Sequence, residues 1–377
     1  MSEKVRNGKP CAVYPSSGGR LLAVSMALLI AGGAWGSDGF HWCAVGNDAS
    51  GLFCLSGQEF ENTSRRVYTC VVGSYAPSKY DACIGGFAKK NNGWIADRDI
   101  AFTPHLTIPE KITYGHLWKG VSGPVTVLRP GAFKGYKELL SVSIPSTIQS
   151  YGSETFAGCT SLQSVKLHCR VVAPYMFRKC TSLRHIELQE GVVTNICPQA
   201  FLGSGLLDIS IPDSVPEVGY GAFMDCVSLA KVEVSHGVRK LGDGSFKGCT
   251  GIRSLQLPKI QLGYEAFKNC TGLTTLTLHG GTKVGSYAFG SCKGLKTVVV
   301  EGSDHDMTIG QYAFAFCRNL ESITFKGNAP HLPGGNHFVA VSPACTVYVP
   351  KGSTGWGVAI PGKWHGLRIE YIEGSSL

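Results

Sequence analysis

One short pattern recurs along most of this chain and limits the folds that it can adopt. The pattern begins with phenylalanine, which is usually followed by cysteine three residues later and then by leucine. It occurs nine times, as in EAFKNCTGL around Phe267. The nine phenylalanines are Phe133, Phe156, Phe177, Phe201, Phe223, Phe246, Phe267, Phe289 and Phe314. Successive copies lie 21 to 25 residues apart, a period typical of solenoids. Because one copy cannot bury its own apolar side, the sequence predicts a continuous core formed between stacked copies.

Each copy carries its own local signals. After the cysteine the chain continues as Leu-x-x-Ile-x-Leu, for example Leu273, Leu276 and Leu278, and this alternation predicts a short strand with the apolar side chains inward. A hydrophobic–Gly pair such as Leu262-Gly263 precedes the next phenylalanine and predicts a tight turn. The Ala-Phe segment is too short for a full helix and predicts one helical or 3-10 turn.

Cysteine fills one slot of the pattern in seven copies: Cys159, Cys180, Cys226, Cys249, Cys270, Cys292 and Cys317. Tyr136 takes the slot in the first copy, and the Phe201 copy is one residue shorter there, without cysteine. Stacking puts these thiols in one column, where we expect buried small hydrophobes with weak S–H donors. Zinc needs about four converging ligands, and a nucleophile needs one activated thiolate. A structural column is therefore favoured, with disulfides between neighbouring coils as the alternative.

The pattern hydrophobic-Gly-x-x-Ala-Phe-x-x-Cys-x-x-Leu-x-x-Ile-x-Leu-Pro closely resembles the BspA-like leucine-rich repeats of bacterial and protist surface proteins. The resemblance covers residues 106–350, about two thirds of the chain. It implies an α/β-type, mostly β solenoid, a leucine-rich-repeat horseshoe with short strands on the concave face and turns on the convex face. It implies proteins that bind other macromolecules and carry no catalytic residues. We divide the chain into residues 1–36, 37–104, 105–349 and 350–377.

The first segment, residues 1–36, has the order of a signal peptide. Basic residues precede the apolar run LLAVSMALLIAGGA, which ends at Ala34 before Gly36. This spacing of small residues suits a signal peptidase, and the run is too short for a membrane span. We therefore expect a secreted or cell-surface protein with no membrane span in the mature chain. The net charge of +9 includes no run of Lys or Arg, so no nucleic-acid partner is expected.

The second segment, residues 37–104, lacks the repeat and is predicted to form a small Cys-containing β-rich module. Its cysteines are Cys43, Cys54, Cys70 and Cys83. Four cysteines in a short exported segment allow two disulfides in three connectivities. Cys169, Cys197 and Cys345 lie outside the column, and the sequence leaves their state open.

The last segment, residues 350–377, follows the final recognisable strand and is predicted to cap the solenoid. Trp356, Trp364 and Tyr371 could cover the core of the last coil. Clustered tryptophans are also used to bind sugars, so a glycan site at Trp356 and Trp364 is kept as an alternative.

The chain lacks the local signatures of enzymes and cofactor sites. It contains no phosphate-binding glycine loop, HExxH motif or nucleophile elbow, so we expect no enzyme activity, cofactor or metal. Asp304, His305 and Asp306 are interpreted as a solvated loop rather than a cation site, because adjacent side chains seldom point the same way. His331 and His337 receive the same interpretation.

The predicted function is therefore binding of an extracellular protein or glycan by a monomeric solenoid, with adhesion as one form of it and a purely structural envelope role as an alternative. The binding surface is predicted on the outward side chains of the strands, which face away from the core. Charged and imidazole groups gather there in the earlier coils. They are Lys166, His185, Glu187, Asp208, Lys231 and Glu233.

Overall fold

The structure is a computed structural model that describes residues 40–43, 55–62, 65–72, 104–108, 111–113, 122–128, 130–148, 150–302 and 306–376. The predicted signal peptide, Cys54, Cys83, Asp304 and His305 lie outside these residues. Cys43 and Cys70 are described only through the strands that carry them. All regular elements in the described residues are strands, and this part of the chain holds no helix able to cross a membrane.

The strands are numbered in chain order. In the first half they are β1 (Phe40–Cys43), β2 (Leu55–Asn62), β3 (Arg65–Val72), β4 (His105–Thr107), β5 (Lys111–Thr113), β6 (Ser122–Leu128), β7 (Ser141–Ser143), β8 (Ser150–Tyr151), β9 (Ser164–Lys166), β10 (Val171–Val172), β11 (Asn195–Ile196), β12 (Asp208–Ile211) and β13 (Glu217–Val218). In the second half they are β14 (Lys231–Val234), β15 (Lys240–Leu241), β16 (Ser254–Leu257), β17 (Gln261–Leu262), β18 (Thr275–His279), β19 (Lys283–Val284), β20 (Thr297–Glu301), β21 (Thr308–Ile309), β22 (Ser322–Phe325), β23 (Thr346–Lys351), β24 (Gly362–Trp364) and β25 (Leu367–Ser376).

The Leu-x-x-Ile-x-Leu segments stack in parallel and confirm the predicted solenoid. They form the ladders β4-β7-β9, β12-β14 and β16-β18-β20-β22-β23. Equivalent residues pair across coils, so Leu276 of β18 lies beside Leu255 and Val298. These inward side chains are buried, while the alternate side chains form an outer surface that we call the strand face. Parallel pairing in register keeps each apolar column continuous along the solenoid.

A second parallel ladder was missed in the sequence. The hydrophobic–Gly pairs were predicted to be tight turns, but in five coils the two residues before the glycine form a short strand. The equivalent residues before Ala173 and Cys197 do the same, and the order is β10-β11-β13-β15-β17-β19-β21. The glycine allows close approach of the backbones instead of a turn. A Cβ on Gly285 would lie 2.5 Å from the carbonyl oxygens of Leu262 and Gly263 in the preceding coil, closer than two such atoms can approach.

The segment around each phenylalanine forms an arc of consecutive turns rather than the predicted helical turn. In each arc the residues two before and two after the phenylalanine have positive φ, as at Tyr287 (56°) and Ser291 (61°). The amides of these two residues and of Phe289 donate hydrogen bonds to carbonyl oxygens of the next coil, at 2.7–3.0 Å. The amides between them bond within the arc. Between coils, the backbone amides of each arc therefore donate in one direction only, towards the C-terminal end.

The phenylalanine rings form one stack through the centre of the solenoid. Ten rings from Phe133 to Phe338 follow one another with centroids 4.9–5.9 Å apart and planes within 13° of parallel. All ten rings are buried. The stack joins the coils into one hydrophobic core, as the period of the sequence predicts.

The seven slot cysteines are buried free thiols. Each thiol donates to the carbonyl oxygen of the phenylalanine in the preceding coil, at 3.0–3.2 Å. Burial raises the pKa of Cys159, Cys270 and Cys317 to about 12. These three thiols therefore stay protonated and serve as donors within the core.

The cysteine slot is also filled in the Phe201 copy. From the sequence, the one-residue shortening of this copy had been placed at the slot itself. Ser204 is buried, and its hydroxyl lies 3.3 Å from the Cys226 thiol. The missing residue therefore falls after the slot, between Ser204 and Leu206. Serine continues the column of small hydrogen-bonding side chains without interruption.

Both ends of the solenoid extend a sheet. At the N-terminal side β1, β2 and β3 form an antiparallel meander, and β3 pairs in parallel with β6, which pairs with β8. At the C-terminal side β25 pairs in parallel with β23 and forms an antiparallel hairpin with β24. Such added strands cover the open edges that a stack of coils would otherwise expose.

Candidate functional site

The ladder of the strand face is interrupted in two places, at the coil of residues 183–188, which forms no strand, and between β14 and β16. Within the described residues, no backbone hydrogen bond joins β9 to residues 183–188 of the next coil, and none joins β14 to β16. The coils remain joined there by the second ladder and the arcs, as in the pairing of Lys240 with Gln261. The two breaks divide the strand face into three blocks of coils.

A groove of about 630 Å³ lies over the first break, and we call it the first groove. Its floor is formed by β4, β7 and β9, and its charged and polar walls include His105, Ser164, Lys166, His168, Glu187 and Gln189. The His105 Nδ1 atom lies 2.7 Å from the Ser141 hydroxyl. Lys166 and Glu187, two of the predicted binding residues, both line this groove.

A groove of about 460 Å³ lies over the second break, and we call it the second groove. Its polar walls include Lys231, Glu233, His236, Gln256, His279 and Glu301. Lys231 and Glu233 form an exposed ion pair at 2.7 Å. Their hydrogen bond lowers the pKa of the Glu233 carboxyl and raises the pKa of Lys231, so both groups stay charged at neutral pH.

His185 and Asp208 lie between the grooves and contact each other. The His185 Nδ1 atom is 2.7 Å from an Asp208 carboxylate oxygen, and both side chains are exposed. The sequence predicted these residues together on the strand face of successive coils. Lys166 and Glu187 line the first groove, and Lys231 and Glu233 line the second.

Several groove residues escaped the sequence analysis, which considered only the side chains flanking the central inward residue of each strand. His168, Gln189, His279 and Glu301 each follow the last inward side chain of their segment. They still line the grooves because they are the next outward position of the alternating segment, and His279 and Glu301 are the last residues of β18 and β20. Extending the outward positions by one residue would have found them.

The tryptophans at the C-terminal end pack into the core. Trp356 and Trp364 are 5% and 3% exposed, and each indole meets the Phe325 ring edge-on at 5.3 and 5.9 Å. The Trp356 Nε1 atom donates to the Ser353 hydroxyl. Neither ring offers the open face on which a sugar would stack, so this arrangement favours the capping role over the alternative glycan site.

An aromatic row lies on the arcs, exposed at Tyr264 and half-buried at Tyr287 and Tyr312. Tyr264, Tyr287 and Tyr312 follow one another on three successive coils, with ring centroids 5.9 and 4.8 Å apart. Lys268 lies over the Tyr287 ring at 5.2 Å. The facing rings of Tyr287 and Tyr312 cover each other, so this row presents mainly ring edges and hydroxyl groups to solvent.

The fold and its surface define a class of protein, a parallel β-solenoid built from cysteine-bearing leucine-rich coils. The sequence profile described as "BspA type Leucine rich repeat region" matches residues 120–230 and 217–335, with six copies. These residues make up more than half of the chain. The chain therefore belongs to the BspA-type leucine-rich-repeat family, whose members are repeat scaffolds for protein interaction.

Solved structures with similar coils are also leucine-rich-repeat proteins. A leucine-rich repeat protein from Bacteroides ovatus is 18% identical, covers 84% of this chain and 98% of its own, and has a TM-score of 0.43. A leucine rich cell surface protein from Faecalibacterium prausnitzii is 19% identical over 87% and 94%, with a TM-score of 0.45. The pneumococcal vaccine antigen PcpA is 15% identical over 79% and 92%, with a TM-score of 0.36. No curated protein matches the chain.

Proposed function

We propose that this protein is an exported solenoid that binds a polar extracellular protein through the two grooves of its strand face. The observation that carries this proposal is the pair of grooves, each lined by side chains of both charge signs at a break in the ladder. Mixed charge gives an interface specificity for one partner and one orientation. DNA, in contrast, would require a uniformly basic surface.

Groove variants should separate binding from folding. In Lys166→Ser/Glu187→Ser the first groove loses its lysine and its carboxylate, and in Lys231→Ser/Glu233→Ser the second groove loses its ion pair. Each exposed change should alter the free energy of unfolding by less than about 0.5 kcal/mol. The partner is first identified by photo-crosslinking from position 187 or 233. We then expect the affinity for this partner to fall about tenfold or more in at least one of the two double variants. A tenfold loss corresponds to about 1.4 kcal/mol of binding free energy.

The matched control is Glu217→Ser/Lys240→Ser, which removes an exposed ion pair of the same chemistry from the second ladder. This variant should bind the partner as the wild type does. Equal affinities for the wild type, both groove variants and this control would contradict binding in the grooves. Loss of affinity only in the control would move the site to the second ladder.

Export is the second part of the proposal and rests on the order of residues 1–36. The basic region, the apolar run and the small residues before Ser37 fit a cleaved signal peptide. We expect the protein from its native source to begin near Ser37 and to be found in the medium or at the cell surface. N-terminal sequencing and cell fractionation test this, and a cytosolic protein that retains Met1 would contradict it.

A further inference from the structure

Two histidines meet where the C-terminal hairpin closes the last coil. His337 was interpreted from the sequence as part of a solvated loop, but it directly precedes Phe338, the last ring of the central stack, and is 1% exposed. His365 lies in the turn between β24 and β25, with a φ of 47° and an exposed side chain. The centroids of the two imidazole rings are 6.0 Å apart. One residue thus comes from the solenoid and the other from its cap.

The hydrogen bond of His337 fixes where its proton lies. Its Nδ1 atom is 2.9 Å from the carbonyl oxygen of Gly310. A carbonyl oxygen can only accept, so Nδ1 carries the hydrogen and Nε2 of the neutral ring carries a lone pair. The Nε2 atom is buried and has no hydrogen-bond partner. Buried polar atoms without a partner are rare, and each one calls for an explanation such as an ion.

The topology of the last coil sets the direction of this lone pair. Gly310 belongs to the preceding coil, whereas the β24–β25 hairpin lies beyond the last one. The two nitrogens of an imidazole ring point in divergent directions, so Nε2 is directed away from Gly310, and the His365 ring of the hairpin lies with its centroid 6.0 Å from that of His337.

We propose that His337 and His365 bind a divalent transition-metal ion of the Zn²⁺ class and thereby fasten the C-terminal hairpin to the last coil. Imidazole nitrogens suit Zn²⁺, Cu²⁺ and Ni²⁺. A ring N–H held by a backbone carbonyl, with the other nitrogen free, is the usual arrangement of a metal-binding histidine. The described residues contain no group of three or more His, Cys, Asp or Glu side chains able to share an ion. Water therefore completes the coordination, and rotation of the exposed His365 ring admits the ion.

The test uses the full chain, with Zn²⁺ as the probe. The wild-type protein should bind one equivalent of Zn²⁺, and His365→Ala should bind none. Zn²⁺ should raise the melting temperature of the wild type only, and a chelator should reverse this increase. His365 is exposed, so its replacement leaves the fold intact. Cu²⁺ should give an electron paramagnetic resonance spectrum with two nitrogen ligands in the wild type.

His236→Ala is the matched control, because His236 lies in the second groove, and it should retain the ion and the thermal shift. His337→Gln, checked for folding by circular dichroism, should behave as His365→Ala does. The proposal is overturned if the wild type binds no Zn²⁺, or if His365→Ala keeps the full stoichiometry and thermal shift. Groove variants leave this result unchanged, so it is independent of the proposed partner binding.

Discussion

Cys270→Asp is expected to unfold the solenoid around its coil, whereas Cys270→Ala remains folded. The Cys270 slot is fully buried and supplies one acceptor, the Phe246 carbonyl oxygen, to a thiol donor. An aspartate there would be a buried charge without a partner, which costs several kcal/mol even after relaxation. Alanine loses only the sulfur contacts and one weak hydrogen bond, at about 1–2 kcal/mol. Chemical denaturation followed by circular dichroism measures both changes in the free energy of unfolding.

Thiol mapping provides the companion measurement for this column. In the native protein, alkylating reagents should leave the seven slot cysteines unmodified, since they are buried. In denaturant all seven should react. Equal stability of the aspartate and alanine variants would contradict the column, and so would a native disulfide between Cys249 and Cys270.

Phe246→Ala is expected to destabilise the protein by about 3–5 kcal/mol, the usual range for a buried phenylalanine. The ring stacks on both sides, with centroids 4.9 Å from Phe223 and 5.1 Å from Phe267, so two stacking contacts disappear with it. Because coils contact only their neighbours, a weakened interface can separate the solenoid into two unfolding units. We expect the denaturation curve to change from one transition to two.

The control is Phe316→Ala, which removes the same side chain from an exposed position on an arc, where it is 41% exposed. Its free energy of unfolding should change by no more than about 0.5 kcal/mol. A small effect at Phe246, comparable with that at Phe316, would show that the central stack contributes little to stability.

The sequence predicts the core well because the core follows its period. Phe267, Cys270 and Leu276 recur at fixed offsets, and stacking requires each of them to meet its equivalents. The second ladder was missed because a two-residue strand such as β19 is too short to show alternation. The glycine beside it supports both a turn and a close backbone approach, and only the packing of neighbouring coils distinguishes these.

The candidate site was harder to predict for a related reason. Outward positions such as Lys166 and Glu233 follow from alternation alone, and the structure places both on the strand face. The grooves, however, lie at breaks in the ladder, which depend on how one coil packs on the next. Nothing in the local sequence of β14 or β16 marks that break. Single-coil patterns therefore predict which side chains are outward, but not which of them share a groove.

The hydrogen bonds between successive arcs all point in one direction, and this gives the solenoid a polarity that its sheets do not share. From coil to coil the arc amides donate towards the C-terminal end, as Phe267 does to Ala288 and Phe289 to Ala313. Aligned peptide dipoles add, as they do along a helix, so this side of the molecule ends in donors after the last coil and in acceptors before the first. Copies joined end to end would match only head to tail, and a longer solenoid can be built by inserting whole coils without reversing a single bond.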